Sequence, residues 1–111
     1  MFNYIRGTLA EKNPAEVTIE ARGVSYCVEI PLSTFEVLPP PGEEAKLLTH
    51  FHVREDTRRL YGFATSTERD TFRRMIGISG IGPKVALSVL SKVPVGELMS
   101  AAAAGERSEE H

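Results

Sequence analysis

Between residues 64 and 66 the chain changes its hydrophobic rhythm, and this change constrains the fold more than any other feature. Upstream the period is two. Tyr4 to Ala10 reads as a strand, and Lys12-Asn13-Pro14 as a turn. Val17, Ile19 and Ala21 alternate with Glu16, Thr18 and Glu20, the pattern of a half-buried strand. Arg22-Gly23 turns the chain into Val24 to Ile30, where Tyr26, Val28 and Ile30 share a face. Pro31 to Phe35 reads as a short helical turn ahead of the breaker Pro39-Pro40-Pro41-Gly42. Ala45 to Val53 is a longer strand with Thr49, Phe51 and Val53 on one face. Arg54-Glu55-Asp56-Thr57 forms a polar tip, and Leu60-Tyr61-Gly62-Phe63 returns as a fifth strand. Five short strands separated by turns every ~8–12 residues suit a small closed barrel of the OB type.

Downstream the spacing is helical. Thr67 is the expected N-cap, with Asp70 placed for the positive end of the helix dipole. Phe72, Met75 and Ile76 fall on one helix face, and Gly77 to Gly82 interrupts it. Lys84 to Leu90 is helical again, with Val85, Val89 and Leu90 expected on a common side. Pro94 can open a third helix through Leu98, Met99 and Ala101 to Ala104, ended by Gly105. The expected class is α+β, mainly β then α: an OB-fold barrel at residues 1–63 and a helical domain at 64–111.

A chain of 111 residues accommodates one ordinary domain or two very small ones, and 41% hydrophobic residues suffice for a core. No apolar run approaches the ~18 residues that span a bilayer, and Met1 to Ala10 lacks a signal-peptide pattern. The single cysteine, Cys27, excludes an internal disulfide framework and a multi-cysteine zinc site; within its apolar strand it is expected to be buried. A reducing cytoplasm and no membrane association follow as expectations. The net charge of −2 argues against nucleic-acid binding only while it is read as an average. Residues 1–53 carry 4 basic and 7 acidic groups, residues 54–92 carry 8 and 4, and residues 93–111 carry 1 and 4. Positive charge is concentrated in the middle third.

Within that third lies Ile78-Ser79-Gly80-Ile81-Gly82-Pro83-Lys84. Two glycines one residue apart allow a tight turn with positive φ, and Pro83 suits the first turn of the next helix. Backbone N–H groups at such a helix start form an anion nest, and Lys84 adds a mobile positive charge. A Walker loop needs G-x-x-x-x-G-K-[ST] after a strand, which is absent. A dinucleotide fingerprint needs a third glycine where Val85 stands. A nucleic-acid backbone is the better-fitting anion. An ordinary helix–helix turn that happens to use glycine is the plain alternative.

Ser79-Gly80-Ile81-Gly82-Pro83-Lys84-Val85-Ala86-Leu87 resembles the first helix–hairpin–helix motif of the RuvA family of bacterial Holliday-junction-binding proteins. Ile5-Arg6-Gly7, Gly23-Val24-Ser25-Tyr26, Thr49-His50-Phe51, Val53-Arg54-Glu55-Asp56 and Leu60-Tyr61-Gly62-Phe63 resemble the same family in order and spacing. The resemblance covers essentially the whole chain. It implies structure-specific binding of four-way junction DNA in recombination and repair, with Gly80, Ile81, Gly82, Lys84 and Arg54 on DNA. It also implies that Glu55 and Asp56 form an acidic pin that repels phosphates where four subunits of a homotetramer meet. The family's partners are the RuvB ATPase, which drives branch migration as an ATP-dependent helicase, and the RuvC resolvase. Its second hairpin motif and C-terminal RuvB-binding domain have no counterpart before His111, so the sequence reads as an N-terminal fragment and tetramer formation is in doubt.

Three other readings stand beside this one. Glu55 and Asp56 could hold a metal in a junction nuclease, but consecutive residues on a tip diverge and no third carboxylate is near in sequence. His50 and His52 precede the tip on one strand face, where a structural or surface role is the commoner one. An OB-type single-strand binder would stack bases on exposed aromatics; Tyr26, Phe51, Tyr61 and Phe63 fall instead in core patterns. A protein scaffold would use the glycine turn only to pack helices. No catalytic residue, metal or cofactor is expected.

Overall fold

The computed structural model describes residues 3–54, 56–78 and 80–92. The elements run β1 (Tyr4–Lys12), β2 (Glu16–Ala21), β3 (Val24–Glu29), α1 (Leu32–Val37), β4 (Glu44–Arg54), β5 (Thr57–Phe63), α2 (Ser66–Ile76) and α3 (Pro83–Lys92). The strands close into a barrel in the order β1-β2-β3-β5-β4, the expected five-stranded OB arrangement. The third helix expected from Pro94 to Gly105 lies outside the described residues.

Closure depends on β1. Its first half pairs with β4, from Tyr4↔Leu48 to Thr8↔Glu44, and its second half pairs with β2. A register shift between Leu9 and Glu11 bends the strand between its two partners. The β2–β3 hairpin turns through Arg22 and Gly23, both with positive φ (52° and 79°), as a two-residue primed turn requires. The last seam, β3 against β5, is parallel and short, with Glu29 opposite Tyr61.

Two cores result. Ile5, Leu9, Val17, Ile19, Val28, Ile30, Ala45, Leu47 and Leu60 fill the barrel, and Phe35 and Leu38 of the α1 segment close one end. Tyr61, Phe63, Phe72, Ala86 and Leu90 form a second cluster, with Met75, Ile76, Ile81 and Leu87 packed against it. Strand β5 therefore serves both: Leu60 joins the barrel core while Tyr61 and Phe63 join the helices. This double burial explains why Leu60-Tyr61-Gly62-Phe63 is a continuous apolar run rather than an alternating one.

The N-cap of α2 is Thr65, not Thr67: its side chain accepts from the Glu68 N–H at 3.2 Å. Thr65 stands three residues before Glu68, the spacing of a capping box, and this pairing prevails over Thr67 with Asp70. Thr67 lies inside the helix, where its carbonyl accepts from the Thr71 hydroxyl at 2.7 Å. The Glu68 carboxylate is buried and reaches α1, accepting from the hydroxyls of Ser33 and Thr34. At its other end the helical pair is tied to the same segment, where the Leu32 N–H donates to Ser91 Oγ at 2.9 Å.

On α3 the buried positions are Ala86 and Leu90, with Leu87 half-buried, whereas Val85 is exposed. The expected face of Val85, Val89 and Leu90 is thus rotated. The small Ala86 side chain lets α3 approach the aromatic cluster closely, and this sets the inward face. Val53 keeps the strand parity expected of it but extends past the barrel end and is exposed. Cys27 is exposed too, correcting the expectation of burial. The alternation that turns Val28 inward turns its neighbour outward, where the thiol donates to Glu16 Oε2 at 3.4 Å.

Candidate nucleic-acid interface

The β4–β5 hairpin leaves the barrel beside the start of α3. Between them lies a groove of about 260 Å³ lined by Glu29, His52, Arg54, Arg59, Tyr61, Pro83 and Lys84. Two segments far apart in sequence, the basic hairpin and the start of α3, thus line a single depression. The second core sets this juxtaposition. Phe72 is fully buried, with ring centroids 5.1 Å from Tyr61 and 5.0 Å from Phe63, and fixes α2 to the outside of β5.

The glycine turn is built as a helix start. Gly80 has φ of +88°, a conformation that requires glycine. The Ile81 N–H donates to the Ile78 carbonyl at 3.1 Å, and the Ala86 N–H to the Gly82 carbonyl at 3.0 Å. The N–H groups of Lys84 and Val85 precede this first α-helical bond, so helix geometry gives them no acceptor within the helix. Of the two glycines, only Gly80 has positive φ. A Cβ on Gly82 would meet nothing within 4 Å, so the described residues do not themselves demand glycine there. Ile81 packs its side chain against the helical core and anchors the turn.

Arg54 of β4 and Lys84 of α3 are both exposed and both line the groove. Arg54 donates from Nε to His52 Nε2 at 3.0 Å. Arg59 is engaged by Glu29 at 3.1 Å, an ion pair that raises its pKa, so its charge is partly spent within the molecule. Burial and the negative Glu29 push the Tyr61 hydroxyl above its ordinary pKa. Two further basic side chains of the middle third have hydrogen-bond partners within the molecule: Arg69 donates to Asn3, and Arg73 to His50 and the Thr49 carbonyl. Asp56 is exposed and lines a neighbouring depression of about 360 Å³ with Glu16, Cys27, Glu29, Arg58 and Arg59. Its partner in the expected pin, Glu55, lies outside the described residues. The sequence signal that was missed is Glu29: counted with the remote acidity of the first half, it instead lines both depressions.

His50 lies under α2, with its ring 5.5 Å from Phe72 and Nδ1 accepting from Arg73 Nε at 3.2 Å. Burial first, then the charges of Arg73, His52 and Arg69, lower its pKa below 6.5. Unfolding therefore takes up a proton below that pH, so the stability this site contributes is complete above about pH 6.5 and is lost as pH falls. Urea unfolding between pH 7.5 and 5 is expected to show a declining midpoint. His50→Asn, which keeps an acceptor near Nδ1 without titrating, is expected to flatten that decline; an equal slope in both proteins would contradict the assignment.

The four aromatics expected in core patterns are committed to packing: Tyr61 and Phe63 are buried, and Tyr26 and Phe51 pack against the barrel core, whereas Tyr4 is exposed. No described helix is long and apolar enough to cross a membrane.

The family model described as RuvA N terminal domain matches residues 1–62. The chain is 56% identical over 101 residues to the Holliday junction branch migration complex subunit RuvA of Polaromonas sp. (strain JS666 / ATCC BAA-500), covering 91% of this chain and 53% of that protein. It is 51% identical over 106 residues to the protein of the same name from Dechloromonas aromatica (strain RCB), covering 96% and 55%. The Leptothrix cholodnii (strain ATCC 51168 / LMG 8142 / SP-6) protein of that name is 51% identical over 106 residues, covering 96% and 56%. The chain spans about half the length of these curated relatives.

Proposed function

The chain belongs to the RuvA N-terminal domain family, and from that premise we propose that it binds four-way DNA junctions by their shape and backbone. The observation that carries this reading is the two-sided groove, with Arg54 on the barrel hairpin facing Lys84 at the start of α3. A cation and free helix N–H groups on one wall and a guanidinium on the other suit a phosphate backbone entering between them. The open space at Gly82 lets that backbone come close to the turn. Ile81 contributes by holding the turn in place. Such contacts read backbone geometry and carry little base-sequence information.

Asp56, with Glu55, acts as the acidic pin. The pair repels phosphates from the junction centre and directs each strand outward. The role is one of binding without bond cleavage. The matched relatives' name supports membership of a branch-migration complex; the RuvB ATPase supplies the ATP-driven helicase step, RuvC resolves the junction, and the RuvA subunits act as a homotetramer in the cytoplasm. The chain divides functionally at residue 63, and a family match that ends at residue 62 supports this boundary.

Lys84→Ala tests the groove. It is expected to weaken junction binding about 3- to 30-fold near 100 mM salt and to reduce the slope of log affinity against log salt by about one. An unchanged affinity and slope would show that the glycine turn only packs helices.

A further inference from the structure

His52 accepts a hydrogen bond from Arg54, and both side chains line the groove opposite Lys84. The two residues are two apart on β4, so strand geometry puts them on the same face. The His52 ring is itself held in a row. It lies edge-on to Tyr61 at 6.4 Å and 6.1 Å from the His50 ring. On β5, Arg59 stands directly opposite His52 in the strand register but is engaged by Glu29. Among the described residues, His52 is the acceptor that Arg54 meets.

An imidazole accepts only through an unprotonated ring nitrogen, so Nε2 carries the lone pair and Nδ1 the proton. The bond uses the Arg54 Nε–H and leaves the edge between the two Nη groups, which can grip an oxyanion in a fork, outside that bond. An exposed arginine at a hairpin end otherwise samples many rotamers and loses that freedom on binding.

We propose that His52 is a positioning residue: in its Nδ1–H tautomer it holds the Arg54 guanidinium across the groove from Lys84, preset for a backbone phosphate. The inference rests on the groove being the DNA site. The histidine touches the arginine and acts through it. Position 52 is thereby a determinant of how well the barrel side of the groove is formed before DNA arrives.

Two variants separate this role from packing. His52→Phe keeps a ring against Tyr61 and removes the acceptor. His52→Gln places an amide oxygen near the position of Nε2 and restores it. Junction affinity of this chain is expected to fall about 3- to 10-fold in His52→Phe, the range for loss of one hydrogen bond, and to recover in His52→Gln. On an Arg54→Ala background His52→Phe is expected to change affinity less than about twofold, because the group it positions is gone. Without DNA, nitrogen NMR is expected to show His52 as the Nδ1–H tautomer. The Arg54 Nε–H signal should be slowed in exchange in the parent and in His52→Gln, and fast in His52→Phe. Wild-type affinity in His52→Phe alongside a loss in Arg54→Ala overturns the positioning role and leaves the groove standing. Wild-type affinity in both Arg54→Ala and Lys84→Ala overturns the groove reading, and the inference with it.

Discussion

Phe72→Ala is expected to destabilise the protein by about 3–5 kcal/mol, the range for deleting a buried phenylalanine. Phe72 is fully buried, and its ring stands 5.1 Å from Tyr61, 5.0 Å from Phe63 and 5.5 Å from His50. Removing it opens a cavity between helix and barrel, where α2 and β5 would have to move to refill it. The loss should not fall evenly. Among the described residues the barrel has its own buried core from Ile5 to Leu60, to which Phe72 does not belong. Hydrogen exchange is therefore expected to speed up most in α2 and α3, with β1 and β2 changing least. Because the same contact sets Lys84 opposite Arg54, DNA binding should fall more steeply than barrel stability. A uniform rise in exchange across all strands would instead indicate one indivisible core.

Glu68→Ala is expected to cost about 2–3 kcal/mol, although it removes a charged residue from a helix first turn. The Glu68 carboxylate is buried and accepts from Ser33 and Thr34 of α1 and from the Thr65 hydroxyl. Thr34 is fully buried and also accepts from the Ala64 N–H at 3.1 Å, so the cluster ties α1 to the barrel–helix connection. Truncation leaves the fully buried Thr34 hydroxyl without its carboxylate acceptor. Glu68→Gln keeps an acceptor oxygen and is expected to cost less than half as much. Equal losses in the two variants, read by urea unfolding, would show that the negative charge and not the hydrogen bonding is what matters.

The barrel was legible because period two is strong wherever one strand face is buried. The hairpins at Arg22-Gly23 and at the Arg54–Thr57 tip follow from turn chemistry. What escaped the sequence has a common cause: tertiary packing chose between local options that the pattern left equal. Thr65 and Thr67 are both sound caps, and the contact of Glu68 with α1 favours the first. Val85 and Ala86 are both helix-compatible, and the closeness demanded by the aromatic cluster buries the smaller. Cys27 was misplaced because a small apolar residue type outweighed its parity, although placing Val28 inward already required it to face out. For the site, the glycine turn and the basic tip are each visible in sequence. That Arg54 and Lys84 line one groove is not, since about thirty residues separate them and only the fold across β5 and α2 closes the distance. Nor does sequence show that Arg59 is held by Glu29 while Arg54 donates to His52. The even-looking net charge of −2 hides this sorting of individual groups.

The most direct test of a groove shaped for crossing strands is the affinity of this chain for a four-way junction against linear duplex of equal length, measured by band shift over a salt series. The proposed groove, with Asp56 in the neighbouring depression, predicts tighter binding to the junction at every salt concentration, with affinity for both falling as salt rises. Equal affinity for junction and duplex would contradict it.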